Sequence, residues 1–209
     1  MPDVILPKED QDIIDDLVSR EFPIFDYVTG PQIACMRRMD WQGKSVVEFG
    51  AWDGRHSEIA MKLGAAGSIA IEQHERHWNC PTSHSHGISV VHDDVERVPD
   101  AHFIGADVII ACGILYHLRD PSTFLRRISH SIAKQMFMWT HVAKAPLCEH
   151  DGYAGDVRLD TGGEPFETFF FTLESLIRCL DDCGWHVKML ELTASAYPIT
   201  PSYSLVLMR

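Results

Sequence analysis

Residues 45–56 read SVVEFGAWDGRH. Ser45, Val46 and Val47 are short or β-branched and run into Glu48, after which Gly50 and Gly54 fall four positions apart. That order predicts a buried strand, a tight turn and a helix opening near Arg55. Glycine in such a turn takes backbone angles closed to other residues and, having no Cβ, lets a ligand lie directly on the main chain. A dinucleotide fingerprint would need glycine at Trp52 and at Arg55 as well, so only Gly50 fits that pattern.

Three more segments follow in order. Residues 68–72, SIAIE, form a short apolar strand ending in Glu72, with Gln73 next. An acid in that position is placed to accept hydrogen bonds from both hydroxyls of a ribose. Residues 88–99, ISVVHDDVERVP, give a third strand running into Asp93 and Asp94. Residues 106–121, ADVIIACGILYHLRDP, give a fourth strand from Asp107 to about Cys112, then a turn and an aromatic, polar stretch. Pro121 opens a helix predicted over 121–133, with Phe124, Leu125, Ile128 and Ile132 at helical spacing.

Taken together, these segments resemble the class I methyltransferases that use S-adenosylmethionine (SAM). Glu48, Gly50 and Gly54 match the first motif of that superfamily. The chain departs from its commonest form at Trp52, where many members carry a glycine; the indole either shapes the methionine end of the site or packs against the N-terminal segment. Gly113, Ile114, Leu115, Tyr116, His117, Asp120 and Pro121 resemble the fourth motif of a branch reading G-[VI]-L-[YH]-H-[LR]-x-x-P, also found in tRNA wobble-uridine carboxymethyltransferases. The resemblance implies SAM as cofactor, held by Glu48, Gly50, Trp52, Gly54, Glu72, Gln73 and Cys112. It further implies that Asp94 and the Val95 amide meet the adenine, with Asp93 taking the first role if the register slips by one.

The implied fold is α/β, a Rossmann-like seven-stranded sheet, mostly parallel with a C-terminal antiparallel hairpin and helices on both faces. Residues 1–209 read as a single domain, with 1–40 as an N-terminal helical lid segment and 143–170 as an acceptor-side loop. Residues 8–20 read as an amphipathic helix, 21–31 as an aromatic loop whose Phe22, Phe25 and Tyr27 either cover the cofactor or pack onto the sheet, and 32–39 as a second helix. A fifth strand is predicted at 135–142, a helix at 172–182 stopped by Gly184, and final strands at 185–192 and 202–208.

Ligands of open α/β sheets bind beyond the carboxyl ends of the strands. Tyr116 and His117 after strand four, and Trp139, Thr140 and His141 ending strand five, are therefore candidate acceptor contacts, with Tyr27 and Tyr153 beside them. If the acceptor atom carries a proton, a histidine suits its removal, because its ordinary pKa lies near neutrality. His141 is the first candidate, His117 the second and His150 the third.

The net charge of −12 argues against a phosphate-gripping surface. Arg37-Arg38 and Arg126-Arg127 are the only basic doublets, so nucleic acid is an unexpected partner. No apolar run approaches the ~18 residues that span a bilayer, and the N-terminus lacks the sections of a signal peptide, so a cytoplasmic location is expected. Six scattered cysteines read as buried thiols, and His74, His77, His84 and His86 match no recognised zinc spacing, so no metal is expected. The expectation is methyl transfer to an O or N atom of a small-molecule metabolite, the kind of step found in natural product biosynthesis. The other readings are an RNA- or protein-modifying enzyme, carboxymethyl transfer included, and a catalytically silent scaffold. The acceptor's identity and the oligomeric state, a homodimer included, stay open.

Overall fold

Strand β1 (Ser45–Phe49) sits at the middle of a seven-stranded sheet whose order is β3-β2-β1-β4-β5-β10-β9. The computed structural model describes residues 8, 9, 12, 28, 30–74, 87–159, 167–193 and 200–209. Around β1 lie β2 (Gly67–Ile71), β3 (Ile88–Val91), β4 (Val108–Cys112) and β5 (Gln135–His141), all parallel to it. Strand β10 (Ser202–Met208) runs against both β5 and β9 (His186–Thr193). The sheet is thus mostly parallel with one antiparallel hairpin, as expected.

Both faces of the central strands are apolar, which is what a sheet covered on two sides demands. Val47, Phe49, Ile109, Ala111, Met136 and Met138 point into one core, with α3 (Pro121–Ile128) and α4 (Leu173–Asp182). Val46, Val108, Ile110, Phe137 and Trp139 point into the other, with α1 (Gly30–Met36) and α2 (Arg55–Lys62). On the first face Phe49 meets Phe103 and Phe124 edge to face, with ring centroids at 5.3 and 5.1 Å. Removing a ring so enclosed costs about 3–5 kcal/mol.

The chain lays β1, β2 and β3 outward in one direction, then returns across β1 to place β4 on its other side. A crevice therefore opens beyond the carboxyl ends of β1 and β4, where the order reverses. Strand β10, being reversed, brings its first residue to the same edge, with Ser202 opposite His141.

Two elements differ from the sequence reading. Residues 143–170, expected as a loop, instead contribute to a separate antiparallel sheet of β6 (Cys148–His150), β7 (Tyr153–Leu159) and β8 (Glu167–Phe171). Asp151 and Gly152 turn β6 into β7 with φ of 53° and 79°, the two-residue hairpin turn that an Asp-Gly pair favours. Helix α3 ends at Ile128, and Ile132 is 58% exposed. The Ser129 and Ser131 hydroxyls bond back to the carbonyls of Arg126 and Ile128, and Arg209 collects the carbonyls of Ser129, Ser131 and Ala133. Hydroxyl bonds of this kind compete with helix continuation.

Candidate functional site

The turn after β1 takes left-handed angles at Gly50 (φ 67°), Trp52 (φ 50°) and Gly54 (φ 76°). For tryptophan this conformation costs on the order of 1–2 kcal/mol, so its surroundings must hold it there. They do so through Glu72, whose Oε2 accepts the Trp52 backbone N–H at 2.8 Å. Gly50 serves packing as well as conformation. A Cβ on it would lie 2.7 Å from Ile114 Cδ1, so on that side the turn is covered by the fourth motif rather than open to a ligand.

Glu48 does not stand above the sheet. It is 1% exposed, and its Oε2 accepts both the Ser57 backbone N–H, at 2.9 Å, and the Ser57 hydroxyl. Its Oε1 lies 3.3 Å from His56 Nδ1. A strand-end carboxylate thus anchors the first turn of α2, a favourable place for negative charge. Burial alone pulls the His56 pKa down, yet the neighbouring Cys112 sulfur and the Glu48 carboxylate reverse this and carry it up to about 10. Cys112 is buried, and burial raises its thiol pKa against the opposing effect of His56. Glu48, His56 and Cys112 form the supporting layer beneath the turn, and His56 was not singled out from sequence.

Glu72 lies just past β2 and is buried, its Oε1 accepting the His74 backbone N–H at 2.8 Å. Gln73 follows on the exposed side, its carbonyl meeting His92 Nε2. After β3, Asp93 Oδ1 accepts the Asp94 N–H at 2.8 Å and Asp94 Oδ1 accepts the Glu96 N–H at 2.9 Å. Asp94 keeps about a third of its side chain exposed, with Oδ2 at 3.6 Å from Arg97, while Val95 beside it is buried.

Across the switch point the ends of β4 and β5 gather an aromatic group. Tyr116, in the short helical turn Leu115–His117, lies 4.4 Å from His117 and 4.5 Å from His141 between ring centroids. Trp139 is 5.0 Å from His141 and 6.2 Å from Tyr116. The small sheet adds Phe170, stacked at 5.8 Å on Tyr116 and capped at 4.8 Å by the Arg158 guanidinium. Arg158 is itself bonded to Asp156 at 2.8 Å. His141 Nδ1 meets Ser202 Oγ at 2.7 Å and Thr200 Oγ1 at 3.2 Å. Burial, with the nearby His117 and Arg158, presses the His141 pKa down to about 4. At neutral pH this imidazole carries a lone pair and no charge. Ser202, Thr200 and Phe170 escaped the sequence reading because the register of β10 against β5 and a second sheet deliver them.

Two candidates lie elsewhere. His150 Nε2 is 3.4 Å from Asp120 Oδ1, at the start of α3, and its ring packs on Phe169. Tyr153 is buried, donates its hydroxyl to Asp182 at 2.9 Å and lies under Arg178, so it fastens the small sheet to α4. Tyr27, Phe22 and Phe25 fall outside the described residues, as do His77, His84, His86 and Cys80.

Three arginines of the two basic doublets are engaged in the fold. Arg37 pairs with Glu9, Arg126 with Asp151, and Arg127 with Asp100 and the Val98 carbonyl. Among the described residues no group of histidines, cysteines and carboxylates is arranged to hold a metal ion, and no helix is long and apolar enough to cross a membrane.

No family model and no curated protein sequence matches the chain. Solved structures do. The N-terminal domain of EvdMO1, crystallised with S-adenosylhomocysteine (SAH), superposes with a TM-score of 0.72 at 15% identity, covering 98% of each chain. The 1,6-didemethyltoxoflavin-N1-methyltransferase of Burkholderia thailandensis, with its substrate and SAH bound, gives 0.66 at 16% identity over 99% of this chain and 91% of its own. The magnesium protoporphyrin IX methyltransferase of Synechocystis PCC 6803, with SAM bound, gives 0.60 at 12% identity over 96% and 79%. This likeness establishes a Rossmann-like methyltransferase fold.

Proposed function

We propose that the chain is a SAM-dependent methyltransferase acting on a small-molecule acceptor. The observation that carries this reading is the pairing of Glu72 with the left-handed turn at Trp52 on one side of the switch point and a neutral His141 in an aromatic group on the other. The residues fit the cofactor chemically. Glu72, a carboxylate at the end of β2, would accept from the ribose hydroxyls, and the part-exposed Asp94 carboxylate, next to the Val95 amide, would take the adenine edge. Gly50, Trp52 and Gly54 would shape the turn along the methionine end, with Glu48 and Cys112 supporting it from below and Gln73 flanking the sugar. When bound, SAM supplies a methyl group on a positively charged sulfur, the electrophile of the reaction.

The chain's own residues would then orient and deprotonate the acceptor. Positioning supplies most of the rate in an in-line displacement, because the attacking atom has to be held at about 3–3.5 Å and aligned. Tyr116, Trp139 and Phe170 offer flat apolar walls for this, and residues 143–170 would roof the pocket with the small sheet. His141, held by Ser202 and Thr200, would take the proton, with His117 beside it. An acidic surface and internally paired Arg126-Arg127 favour a small metabolite over RNA.

Calorimetric titration with SAM and with SAH tests the reading directly. Saturable binding of both is expected, with SAH competing against SAM. Absence of heat up to high micromolar concentrations of either would refute it.

A further inference from the structure

Resting on the proposed methyl transfer, we infer that the acceptor is a planar small molecule carrying a carboxylate, and that Arg158 is the residue that selects it. Arg158 lies on β7, on the face of the small sheet that turns Phe170 toward Tyr116. Among the described strand residues of that face it is the only cation. Two contacts fix its guanidinium. Nε donates to Asp156 Oδ2 at 2.8 Å, and Cζ sits 4.8 Å from the centroid of the Phe170 ring. Asp156 is two residues back along the strand and directly opposite Phe170 in the register, so the pleat of the sheet brings the three side chains together.

These contacts leave the far end of the guanidinium unused. Among the described residues Nη1 and Nη2 have no hydrogen-bond partner, although the side chain is only 32% exposed. Other arginines of the fold spend their terminal nitrogens: Arg126 on Asp151, Arg127 on Asp100, Arg178 on the Gly152 carbonyl, and Arg209 on the carbonyls of Ser129, Ser131 and Ala133. Arg158 is braced at Nε and open at its Nη edge. That edge presents parallel N–H groups, which match the two oxygens of a carboxylate. Because Asp156 and Phe170 already hold the side chain, little of its freedom remains to be lost on binding.

The open edge belongs to the acceptor side of the crevice. Phe170 is stacked at 5.8 Å on Tyr116, and Tyr116 lies 4.5 Å from His141. The charge of Arg158 is near enough to help press the His141 pKa down. A planar acceptor lying along Tyr116 and Phe170 would set its carboxylate on Arg158 and turn its reacting atom toward His141. The chain's net charge of −12 repels an acid in general, so one braced cation decides where an acid settles.

The test titrates 4-hydroxybenzoate and its neutral counterpart of the same shape, 4-hydroxybenzamide, into the full chain at pH 7.5, with and without SAH, and reads both affinities by calorimetry. The acid should bind at least about tenfold more tightly than the amide. Arg158→Met keeps an unbranched stem over Phe170 and removes the charge. It should abolish the preference by weakening the acid alone, with the amide and SAH bound as before. Arg158→Lys keeps the charge without the paired donors and should restore only part of the preference. Equal affinities in the wild-type chain, or no binding of the acid at millimolar concentration, would overturn the inference even if both variants failed to fold. A full preference retained by either variant would overturn it as well. Failure of SAH to bind refutes the methyltransferase reading instead, and the probe affinities measured without SAH judge Arg158 separately.

Discussion

Acid should weaken this protein through His141 in a way that a single substitution removes. His141 is 5% exposed and has its pKa lowered from 6.5 to about 4, first by burial and then by His117 and Arg158. Between those two values the unfolded chain binds a proton at this ring and the folded chain does not. Stability is therefore fully present above pH 6.5 and is lost as pH falls toward 4. At ~1.4 kcal/mol per pKa unit the loss comes to about 3 kcal/mol, a large share of the 5–15 kcal/mol that holds a domain together. His141→Gln cannot take up that proton. The variant starts from a lower stability at pH 7.5, because the bonds to Ser202 and Thr200 are altered, but it lacks this one pH-dependent component. Urea unfolding of both proteins at pH 7.5, 6.5, 5.5 and 4.5 measures the difference. The gap between them should narrow steadily as pH falls. Parallel curves, or a wild type that loses less than the variant, would refute the burial of a neutral imidazole at this position.

Four shorter expectations accompany it. Gly50→Ala forces a Cβ into Ile114 at a left-handed angle and should cost about 2–3 kcal/mol in urea unfolding; adding Ile114→Ala should recover the steric part and leave the backbone part, and a full recovery would contradict the φ of Gly50. Glu72→Gln leaves one of the two backbone N–H groups at Trp52 and His74 without its acceptor and should weaken SAH binding by about tenfold in calorimetry. Unchanged affinity would remove Glu72 from the proposed sugar contact. Tyr153→Phe should lose about 1 kcal/mol of stability in urea unfolding, since its bond to Asp182 goes; unchanged stability would contradict its role in fastening the small sheet to α4. Once an acceptor is found, kcat/KM should hold its value from pH 8 down to about 5 and fall only as His141 protonates, whereas a fall centred near 6.5 would point to an unperturbed histidine as the base.

The centre of the sheet was legible because β1, β2 and β4 are largely buried, read as short apolar runs and are followed by a glycine or a carboxylate. Residues 45–49 and 108–112 needed nothing beyond that pattern. The hairpin of β9 and β10 followed from element order. The small sheet was not legible in the same way: β6 is three residues long, and only the left-handed pair Asp151-Gly152 marks the reversal into β7. Ile132 satisfied the helical period, yet side-chain and backbone bonds at Ser129, Ser131 and Arg209 end the helix before it. On the site, Glu72, Tyr116, Trp139 and His141 announced themselves as strand-end residues. Glu48 did so too, but the hydroxyl of Ser57 and the ring of His56, one helical turn on, draw it under the turn. Ser202 was unreadable as a partner of His141 because the expected hairpin does not say which of its strands lies beside β5, nor in what register.

The return of the chain across β1 divides the molecule's labour along its length. Among the described residues, Glu48 through Val95 build the margin that meets the glycine turn, while Tyr116, Trp139, Thr200 and Ser202 gather around His141. The two margins meet where Ile114 covers Gly50, so Phe170 and the small sheet can vary with least cost to the glycine turn, while changes at Ile114 are felt on both sides.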